Sequence, residues 1–425
     1  MSEAAEISQK AIVPQTIAEN IVSPAAFAEW TGINADFAHL RSELPLAKAF
    51  PEGYDPFWVV TRYADVREVS HQPDIFPSNG YRCILSSKAA LAEMDAPDAP
   101  PFLRALITMD PPEHWANRRL TFADFAPKGV KGLEESIRAI AIKSVEDFLG
   151  KGRSADFVED AAVRYPLRVI LKLLGLPSED EDHILRLTQA FQSPQDPEYG
   201  AADEGVALDH NVLEDYKDYF YTLVDRLRAS PDDSISSKIA NGMVDGKPLS
   251  HWEAMSQMVV VATAGHDTTS ASTAGAMWAL AERPDLVDRI RADRSLIANL
   301  VDEGVRWASP LLNFMRTAAV DYELRGQTIR KGDWVMMSYL SANRDEDIFK
   351  DPETFSLDRP LNVHLGFGHG PHLCLGRNIA NLEMRIFFEE LFKHLTSVEL
   401  AGPPTRTHSA NLCSIKSLPI NFTYQ

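Results

Sequence analysis

One cysteine near the C-terminal end of the chain lies in a segment whose residues could carry chemistry. The segment reads Phe367-Gly-His-Gly-Pro-His-Leu-Cys374-Leu-Gly376, and the chain has only 3 cysteines in 425 residues. A buried inert thiol would not need so many glycines around it. A reactive or metal-binding sulfur does, because it needs a sharp loop and free backbone N–H groups that stabilise its charge.

Three chemistries are open to this sulfur. Cys374 could be a nucleophile with His372 or His369 as its base. A zinc site would need further ligands at fixed spacing, and the other cysteines, at 83 and 413, lie far away in the sequence. The sulfur could also be a thiolate ligand to haem iron. Residues 377–390 have the pattern of an amphipathic helix, whose N-terminal dipole would favour the thiolate.

A second candidate site is Ala264-Gly-His-Asp267-Thr268-Thr269, in the middle of an apolar segment. A glycine, a carboxylate and adjacent hydroxyls are unfavourable in the centre of a buried helix. The Thr268 hydroxyl can bond the carbonyl of Ala264 and bend the helix. Two interpretations remain open: a kink with a solvated aspartate, or an acid and a hydroxyl that deliver protons to a bound ligand.

A long helix must position this second motif. Ser250 and Glu253 form a capping-box pattern, and Pro284 follows the last helical residue, which predicts a helix from Ser250 to Arg283. Such a helix is about 50 Å long, enough to cross the molecule. Glu303 and Arg306, three residues apart, would pair on a further helix, but a pair of this kind is by itself usually a surface salt bridge.

Composition excludes several classes of function. The chain has a formal net charge of −19, which argues against nucleic acid as a partner. The cysteines are remote from one another, so we expect no disulfide framework. Neither a cleavable signal nor a run of about 18 apolar residues is visible. We expect a cytoplasmic protein without a membrane anchor, with a loosely ordered segment at residues 1–25 and one large domain at residues 26–425.

The pattern FGxGxHxCxG at residues 367–376 resembles the haem-binding signature of the cytochrome P-450 superfamily of haem-thiolate monooxygenases. The resemblance covers about residues 30–425. Within the family, the chain is most similar to the soluble bacterial α-terpineol hydroxylase type. The other segments that carry the resemblance are Ala264–Thr269, Glu303-Gly-Val-Arg306, Asp110-Pro-Pro-Glu-His114 with Arg118, Ala342-Asn-Arg-Asp345, Phe355-Ser-Leu-Asp-Arg359-Pro360, Pro45-Leu-Ala-Lys48, Glu52-Gly-Tyr-Asp-Pro56 and Val398-Glu-Leu-Ala-Gly-Pro-Pro404.

The resemblance implies a mainly α fold: one large, triangular, helical domain with a small β-rich lobe, enclosing haem b. Cys374 would be the ligand of the iron, Phe367 would shield its sulfur, and Gly376 belongs to the same signature. The partners of the two haem propionates would be His114, Arg118, Arg316 and His372. Glu303, Arg306 and Arg359 would form a structural triad under the cysteine loop.

The reaction implied is insertion of one atom of dioxygen into an unactivated C–H bond. Asp267 and Thr268 would deliver the protons. Electrons would come from a [2Fe–2S] ferredoxin with its reductase, docking near Arg118 and Arg377 on a monomer. Two alternatives stay open: a peroxide-driven peroxygenase on the same scaffold, and a non-enzymatic haem protein that binds a gas.

The resemblance also places a substrate pocket above the haem. Residues 77–102 would cover it. The candidate helix and wall positions contain no Lys or Arg, and Arg82 in the covering loop is the exception. An uncharged, compact cyclic substrate, terpenoid or aromatic, fits such a pocket, with at most one hydroxyl oriented by Thr263 or Tyr81. The expected substrate-binding residues are Tyr81, Val260, Thr263, Ala264, Leu312 and Phe314.

Overall fold

The computed structural model describes residues 11–97, 99, 101–199, 210–412 and 414–425. Helices account for 53% of the structure, so the prediction of a mainly α fold is confirmed. The helices are α1 (Gln15–Asn20), α2 (Pro24–Ala28), α3 (Thr31–Glu43), α4 (Tyr63–Ser70), α5 (Lys88–Met94), α6 (Glu113–Arg118), α7 (Phe122–Phe125), α8 (Pro127–Lys131), α9 (Glu134–Leu149), α10 (Arg164–Leu174), α11 (Glu181–Gln192), α12 (His210–Ala229), α13 (Ile235–Ala240), α14 (His251–Glu282), α15 (Pro284–Ala292), α16 (Ile297–Ala308), α17 (Tyr339–Ala342) and α18 (Arg377–Leu391).

The strands are short and belong to small sheets. They are β1 (Leu46–Ala49), β2 (Phe57–Val60), β3 (Ser154–Asp156), β4 (Met243–Val244), β5 (Lys247–Pro248), β6 (Asn313–Thr317), β7 (Tyr322–Leu324), β8 (Gln327–Ile329), β9 (Trp334–Ser338), β10 (Leu395–Leu400), β11 (Thr405–Arg406), β12 (Ile415–Ser417) and β13 (Pro419–Tyr424).

Helix α14 is the central element of the helical part. It begins after Ser250, whose hydroxyl accepts the Glu253 N–H while the Glu253 carboxylate accepts the Ser250 N–H. Its 32 residues extend over about 48 Å. The helix packs against α10, α11, α12 and α16, and most of its residues are buried. The predicted bounds are therefore confirmed. None of the described helices is both long and apolar enough to cross a membrane.

The β-rich lobe contains a four-stranded sheet with the order β1-β2-β9-β6. Strands β1 and β2 are antiparallel, β2 and β9 are parallel, and β6 pairs antiparallel with β9 in a register that sets Asn313 opposite Ser338. Apolar side chains on both faces bury this sheet in two clusters. The sheet matters for the site because β6 carries Phe314 and Arg316, two of the predicted site residues.

The expectation that residues 1–25 form a loosely ordered segment is wrong for residues 11–25. These residues include α1, and Ala18 and Ile21 are each 0% exposed. The backbone N–H of Val13 also donates to Lys48 at 3.0 Å, which attaches the segment to β1. Scattered small apolar residues in a polar sequence gave no local signal of this burial. Residues 1–10 lie outside the described part of the chain.

A buried charge cluster stabilises the part of the fold that carries the cysteine loop. The Glu303 carboxylate accepts from Arg306 Nε at 2.7 Å and from Arg359 Nε at 2.9 Å. Glu303 and Arg306 are 3% and 1% exposed. Arg306 also donates to the carbonyls of Asn343 and Pro352, both at 2.8 Å. The cluster therefore connects α16 to the chain that leads into the cysteine loop.

We predict that Glu303→Gln lowers the free energy of unfolding by roughly 3–5 kcal/mol, because it leaves the buried Arg306 and the half-buried Arg359 without their shared countercharge. Chemical denaturation of the haem-loaded protein measures this effect. Asp285→Asn is the matched control, since Asp285 pairs with Arg283 at an exposed site and should change stability by roughly 0–1 kcal/mol. Equal effects of the two substitutions would contradict the prediction.

Candidate active site

The cysteine loop is a tight backbone turn that leads directly into α18. The N–H of Cys374 donates to the Phe367 carbonyl at 2.9 Å, and the N–H of Leu373 donates to Gly370 at 3.0 Å. Gly370 has φ +70°, and a Cβ there would collide with the carbonyl of Ser70. A glycine is thus required both by the left-handed backbone and by the close approach of α4. Gly376 is the N-cap residue of α18.

Backbone dipoles and a cation surround the Cys374 sulfur. Burial of the loop raises the pKa of the thiol, whereas hydrogen bonds from the N–H groups of Gly376 and Arg377 and the charge of Arg118 act to lower it. These groups favour the thiolate over the thiol, although burial is the larger effect in the protein alone. The Cys374 side chain is accessible from a cavity.

This cavity has a volume of about 740 Å³, and residues of helix α14 and of the cysteine loop both line it. Ala264, Gly265 and Thr268 line it. The Thr268 hydroxyl donates to the Ala264 carbonyl at 2.9 Å, as the sequence predicted. Helix packing explains the glycine at position 265, because a Cβ there would collide with the Ile170 side chain of α10. The motif therefore combines a close helix contact with a hydroxyl in the cavity.

Asp267 points away from the cavity that Thr268 lines. Its side chain is not part of the lining, and the residue is 8% exposed. Oδ1 lies 3.2 Å from Nδ1 of His266, and Oδ2 has no hydrogen-bond partner among the described residues. Burial raises the pKa of Asp267, with His266 opposing. The interpretation of a solvated aspartate is therefore wrong, and the structure does not bring the two predicted catalytic groups into one cavity.

Three of the four predicted propionate partners meet beside the cysteine loop. His114, Arg118 and His372 line the cavity, and the ring centroids of the two histidines are 4.5 Å apart. Arg118 Nη2 donates to the Leu373 carbonyl at 2.7 Å. Arg316 does not line the cavity, but it is 4% exposed and its charge acts on both histidines.

This cluster of histidines and arginines fits the carboxylates of a haem. Neither ring nitrogen of the buried His114 has a partner among the described residues. Burial lowers the pKa of His114 to about 4 and that of His372 to about 2, with the neighbouring arginines adding to the shift. Two carboxylates would supply the missing acceptors and countercharges. The donor set thus fits the group that the sequence implied, with Cys374 and Phe367 on the adjoining wall.

Five of the six predicted substrate-binding residues line the cavity: Tyr81, Val260, Thr263, Ala264 and Phe314. The prediction that Leu312 lines the cavity is wrong. It lies just before β6, outside the regular alternation of the strand, and its side chain is 1% exposed in the core cluster beneath the sheet. Arg82 is also absent from the lining and pairs with Asp95 at 3.8 Å.

The two hydroxyls that were expected to orient a substrate already have acceptors. The Thr263 hydroxyl donates to the Val259 carbonyl at 2.9 Å, and the Tyr81 hydroxyl donates to Asp95. Each would therefore have to give up an existing bond in order to donate to a substrate. Each hydroxyl oxygen can still accept a hydrogen bond from a substrate donor without losing its own bond.

Sequence reasoning missed the walls that come from distant parts of the chain. No motif marks them, because each is brought to the cavity only by tertiary packing. Glu383 is a lining carboxyl on α18, and burial raises its pKa well above the usual range. The others include Phe191, Gln192, Gln195, His408, Ser409 and Ala410.

A buried ion pair clamps two of these walls together. Asp196, 1% exposed, accepts from Lys416 Nζ at 2.7 Å and from the His408 N–H at 3.0 Å. Burial opposes ionisation, yet the hydrogen bonds from Lys416 and from the backbone of His408 and Glu198 lower the pKa of Asp196. The segment after α11 is thereby fixed to the C-terminal hairpin of β11 and β12.

A comparison with known families and proteins agrees with these features. The family model described as Cytochrome P450 matches residues 207–423. Cytochrome P450-terp of Pseudomonas sp is 41% identical, with 97% of this chain and 99% of the relative covered. The steroid C26-monooxygenase of Mycolicibacterium smegmatis is 34% identical, with 86% of this chain and 84% of the relative covered.

Solved structures show the same likeness. CYP108D1 of Novosphingobium aromaticivorans superimposes with a TM-score of 0.89 at 38% identity, covering 97% of this chain and 100% of that one. The Mycobacterium marinum cytochrome P450 CYP268A2, in complex with pseudoionone, gives a TM-score of 0.86 at 31% identity, covering 98% and 99%. The similarity thus includes both the helical part and the β-rich lobe.

We predict that Cys374→Ala abolishes the low-spin thiolate signal in the electron paramagnetic resonance spectrum of the ferric protein, because no other side chain of the loop can supply a thiolate. Cys83→Ala should leave the signal intact. Cys83 is a suitable control because it is 0% exposed and burial raises its pKa to about 12.

Cys413 lies outside the described residues, and Cys413→Ala is expected to behave like Cys83→Ala. Retention of the thiolate signal in Cys374→Ala, or its loss in either control variant, would overturn the assignment of the ligand.

Proposed function

The chain belongs to the cytochrome P450 family and is a haem-binding monooxygenase, and from this premise we propose that it hydroxylates a small, uncharged, cyclic hydrophobic compound. The observation that carries the proposal is the cavity between Cys374 and α14, with its mostly apolar lining. When bound, the haem would supply activation of dioxygen, favoured by electron donation from the Cys374 thiolate. The protein must hold the substrate, exclude water and deliver protons.

The charges around the cavity support an uncharged substrate. Arg118 is the only Lys or Arg among the residues that line it in the described part of the chain, and it lies with His114 and His372 on the side assigned to the propionates. Glu93 lines the cavity too and would repel a carboxylate. A fatty acid would therefore lack an anchor, whereas an apolar ring gains about 25 cal/mol per Å² of surface buried.

Aromatic and aliphatic side chains form the surfaces available to such a ring. They include Phe102, Phe191, Val260, Ile84, Leu85 and Phe314. The name P450-terp is compatible with a terpenoid substrate, and the structure in complex with pseudoionone holds a terpenoid that is acyclic. Another relative is named a methyl-branched lipid omega-hydroxylase, so an acyclic substrate is the alternative that an experiment must distinguish.

Thr268 is proposed to hold a proton at its Oγ1, in the cavity that Cys374 also lines. The hydroxyl lies in the cavity and bonds Ala264 at 2.9 Å, which fixes its rotamer. Asp267 lies outside the cavity, so it would act as the next proton donor, not as a direct contact of the substrate. Burial raises its pKa, which favours the protonated, donating form.

We propose that the electrons arrive from a [2Fe–2S] ferredoxin at the face formed by α6, α7 and α8. Arg118 of α6 bonds the Leu373 carbonyl at 2.7 Å, and Asn378 of α18 bonds the Phe125 carbonyl of α7 at 2.9 Å. This face is therefore attached directly to the cysteine loop, which gives a short path from partner to sulfur.

The exposed side chains of this face suit an acidic partner. Trp115 and Phe122 are 54% and 53% exposed, which is unusual for large hydrophobic residues. Arg119, Lys128 and Lys131 are exposed beside them, although the whole chain has a net charge of −19. Local positive charge would steer an acidic ferredoxin and offset the repulsion of the remaining surface. We also propose a single-domain, cytoplasmic monomer, in keeping with a separate electron donor.

The substrate proposal is tested by titrating the haem-loaded protein and following its low-to-high spin change. We expect α-terpineol, biphenyl and an alkylbenzene to produce the change, because burial of a ring displaces water from the cavity. Lauric acid should bind at least about tenfold more weakly, since its carboxylate finds no cation. Tight binding of lauric acid, together with no response to any ring compound, would reject the proposal.

We predict that Thr268→Ala continues to consume NADH in a reconstituted system but releases hydrogen peroxide in place of product, because proton delivery fails. Asp267→Asn should instead slow turnover about 10–100-fold, since it removes the acid that supplies Thr268. Ser270→Ala on the same helix is the matched control, since Ser270 does not line the cavity. Unchanged product per NADH in Thr268→Ala would remove that residue from the mechanism, and turnover with peroxide but not with ferredoxin would favour a peroxygenase.

A further inference from the structure

His266 is a buried imidazole beside the acid of the proposed proton relay. It lies in the middle of α14, is 0% exposed and does not line the cavity. Its Nδ1 lies 3.2 Å from Oδ1 of Asp267 and 3.4 Å from the hydroxyl oxygen of Thr188 on α11. The ring therefore contacts the relay acid on its own helix and a hydroxyl on the neighbouring helix. Neither the haem site nor the shape of the cavity requires an imidazole at this position.

The hydrogen bonds of Thr188 determine which nitrogen of the ring carries a hydrogen. A hydroxyl has one hydrogen, and Thr188 donates it to the Leu185 carbonyl at 2.9 Å. Toward His266 the hydroxyl oxygen can therefore only accept, so Nδ1 must bear a hydrogen. The Nδ1–H group thus faces Oδ1 of Asp267 as a donor, and Thr188 holds the ring in the tautomer that permits this contact.

The Asp267 carboxyl has little else to balance a negative charge. Among the described residues no Lys or Arg lies within ion-pair distance of it, and its Oδ2 is buried without a hydrogen bond. The titratable groups that neighbouring elements direct toward it are the phenols of Tyr216 on α12 and of Tyr199, after α11. Burial, and with it the Asp267 charge, raises the pKa of both phenols. A carboxylate formed here would depend on the donor at Nδ1 of His266.

We propose that His266 is a positioning residue of the proton relay, whose Nδ1–H orients the Asp267 carboxyl and stabilises the carboxylate that remains after Asp267 has given its proton toward Thr268. The inference rests on the proposed function, because it assumes that relay. Thr268 passes on its own hydroxyl proton in exchange, and His266 keeps its proton throughout. Without the Nδ1–H group the buried carboxylate is less stable, so Asp267 becomes a weaker acid and proton delivery slows.

Three substitutions separate the N–H group from the volume of the ring. His266→Asn places an amide N–H near the position of Nδ1, His266→Gln places it near Nε2, and His266→Leu removes it. All are compared with the native protein in the haem-loaded, full-length form, after their thiolate spectra have been verified.

The first measurement is an infrared pH titration of protein that contains carbon-13-labelled aspartate. Protonated Asp267 gives a carbonyl band, which is identified by its absence in Asp267→Asn. In His266→Leu and His266→Gln we expect this band to persist to a pH about one unit higher than in the native protein, because loss of a donor to the carboxylate raises the pKa of Asp267. His266→Asn should titrate within about a third of a unit of the native protein.

The second measurement is the pH dependence of product formation in a reconstituted system. Asp267 must be protonated in order to donate, so the rate falls as the pH rises through its pKa. In His266→Leu and His266→Gln we expect a maximal rate about three- to tenfold lower, with the fall moved to higher pH, and His266→Asn should restore both. Ser256→Ala is the matched control, since Ser256 is a buried residue of α14 that bonds the Trp252 carbonyl, and it should alter neither quantity.

An unchanged infrared titration in His266→Leu, or a His266→Asn variant that behaves like His266→Leu, would overturn the proposal. A lower rate without a displaced titration would show that the ring serves helix packing alone, which overturns it as well. If His266→Leu does not fold, the difference between His266→Asn and His266→Gln decides by the same criteria.

The outcome is distinguishable from the fate of the proposed function. A displaced titration together with undiminished turnover in Asp267→Asn would reject the relay on which the inference rests, although the contact between His266 and Asp267 would stand. Binding and hydroxylation of ring compounds by the native protein test the substrate proposal, and they are measured without any of these variants.

Discussion

A sulfur that must be anionic in a largely apolar interior is the constraint on which the rest of this structure depends. Burial raises the pKa of Cys374, and the N–H groups of Gly376 and Arg377 and the charges of Arg118 and Arg377 oppose it. Those groups act only at short range, so the backbone from Phe367 to Arg377 must be fixed closely. The glycines of the loop, the start of α18 and the Glu303–Arg306–Arg359 cluster all serve this requirement.

The opposite wall meets a different requirement, because α14 must be both a close-packed core helix and a polar surface at one point. Gly265 permits the approach of Ile170, and Thr268 satisfies its hydroxyl on its own helix while facing the cavity. Asp267 is buried against His266, where burial raises its pKa and the His266 ring acts to lower it. The proposed relay would therefore take its proton from a group outside the cavity lining.

Local signals in the sequence were sufficient where the determining contacts are local. The capping box of Ser250 and Glu253 and the proline at 284 define α14, and the glycine-rich turn around Cys374 indicated a loop that holds a sulfur. The direction of Asp267, the burial of Leu312 and the clamp between Asp196 and Lys416 depend on elements that are far apart in the chain. Periodicity within one segment contains no information about such contacts.

The most direct test of the account is the Soret band of the reduced carbon monoxide complex of the native protein. Thiolate donation from Cys374 to the iron, stabilised by the N–H groups of the loop, predicts the strongly red-shifted band of haem-thiolate proteins. A band at the shorter wavelength of histidine-ligated haem, in freshly prepared protein of full haem content, would contradict the central claim that this loop holds the iron through an anionic sulfur.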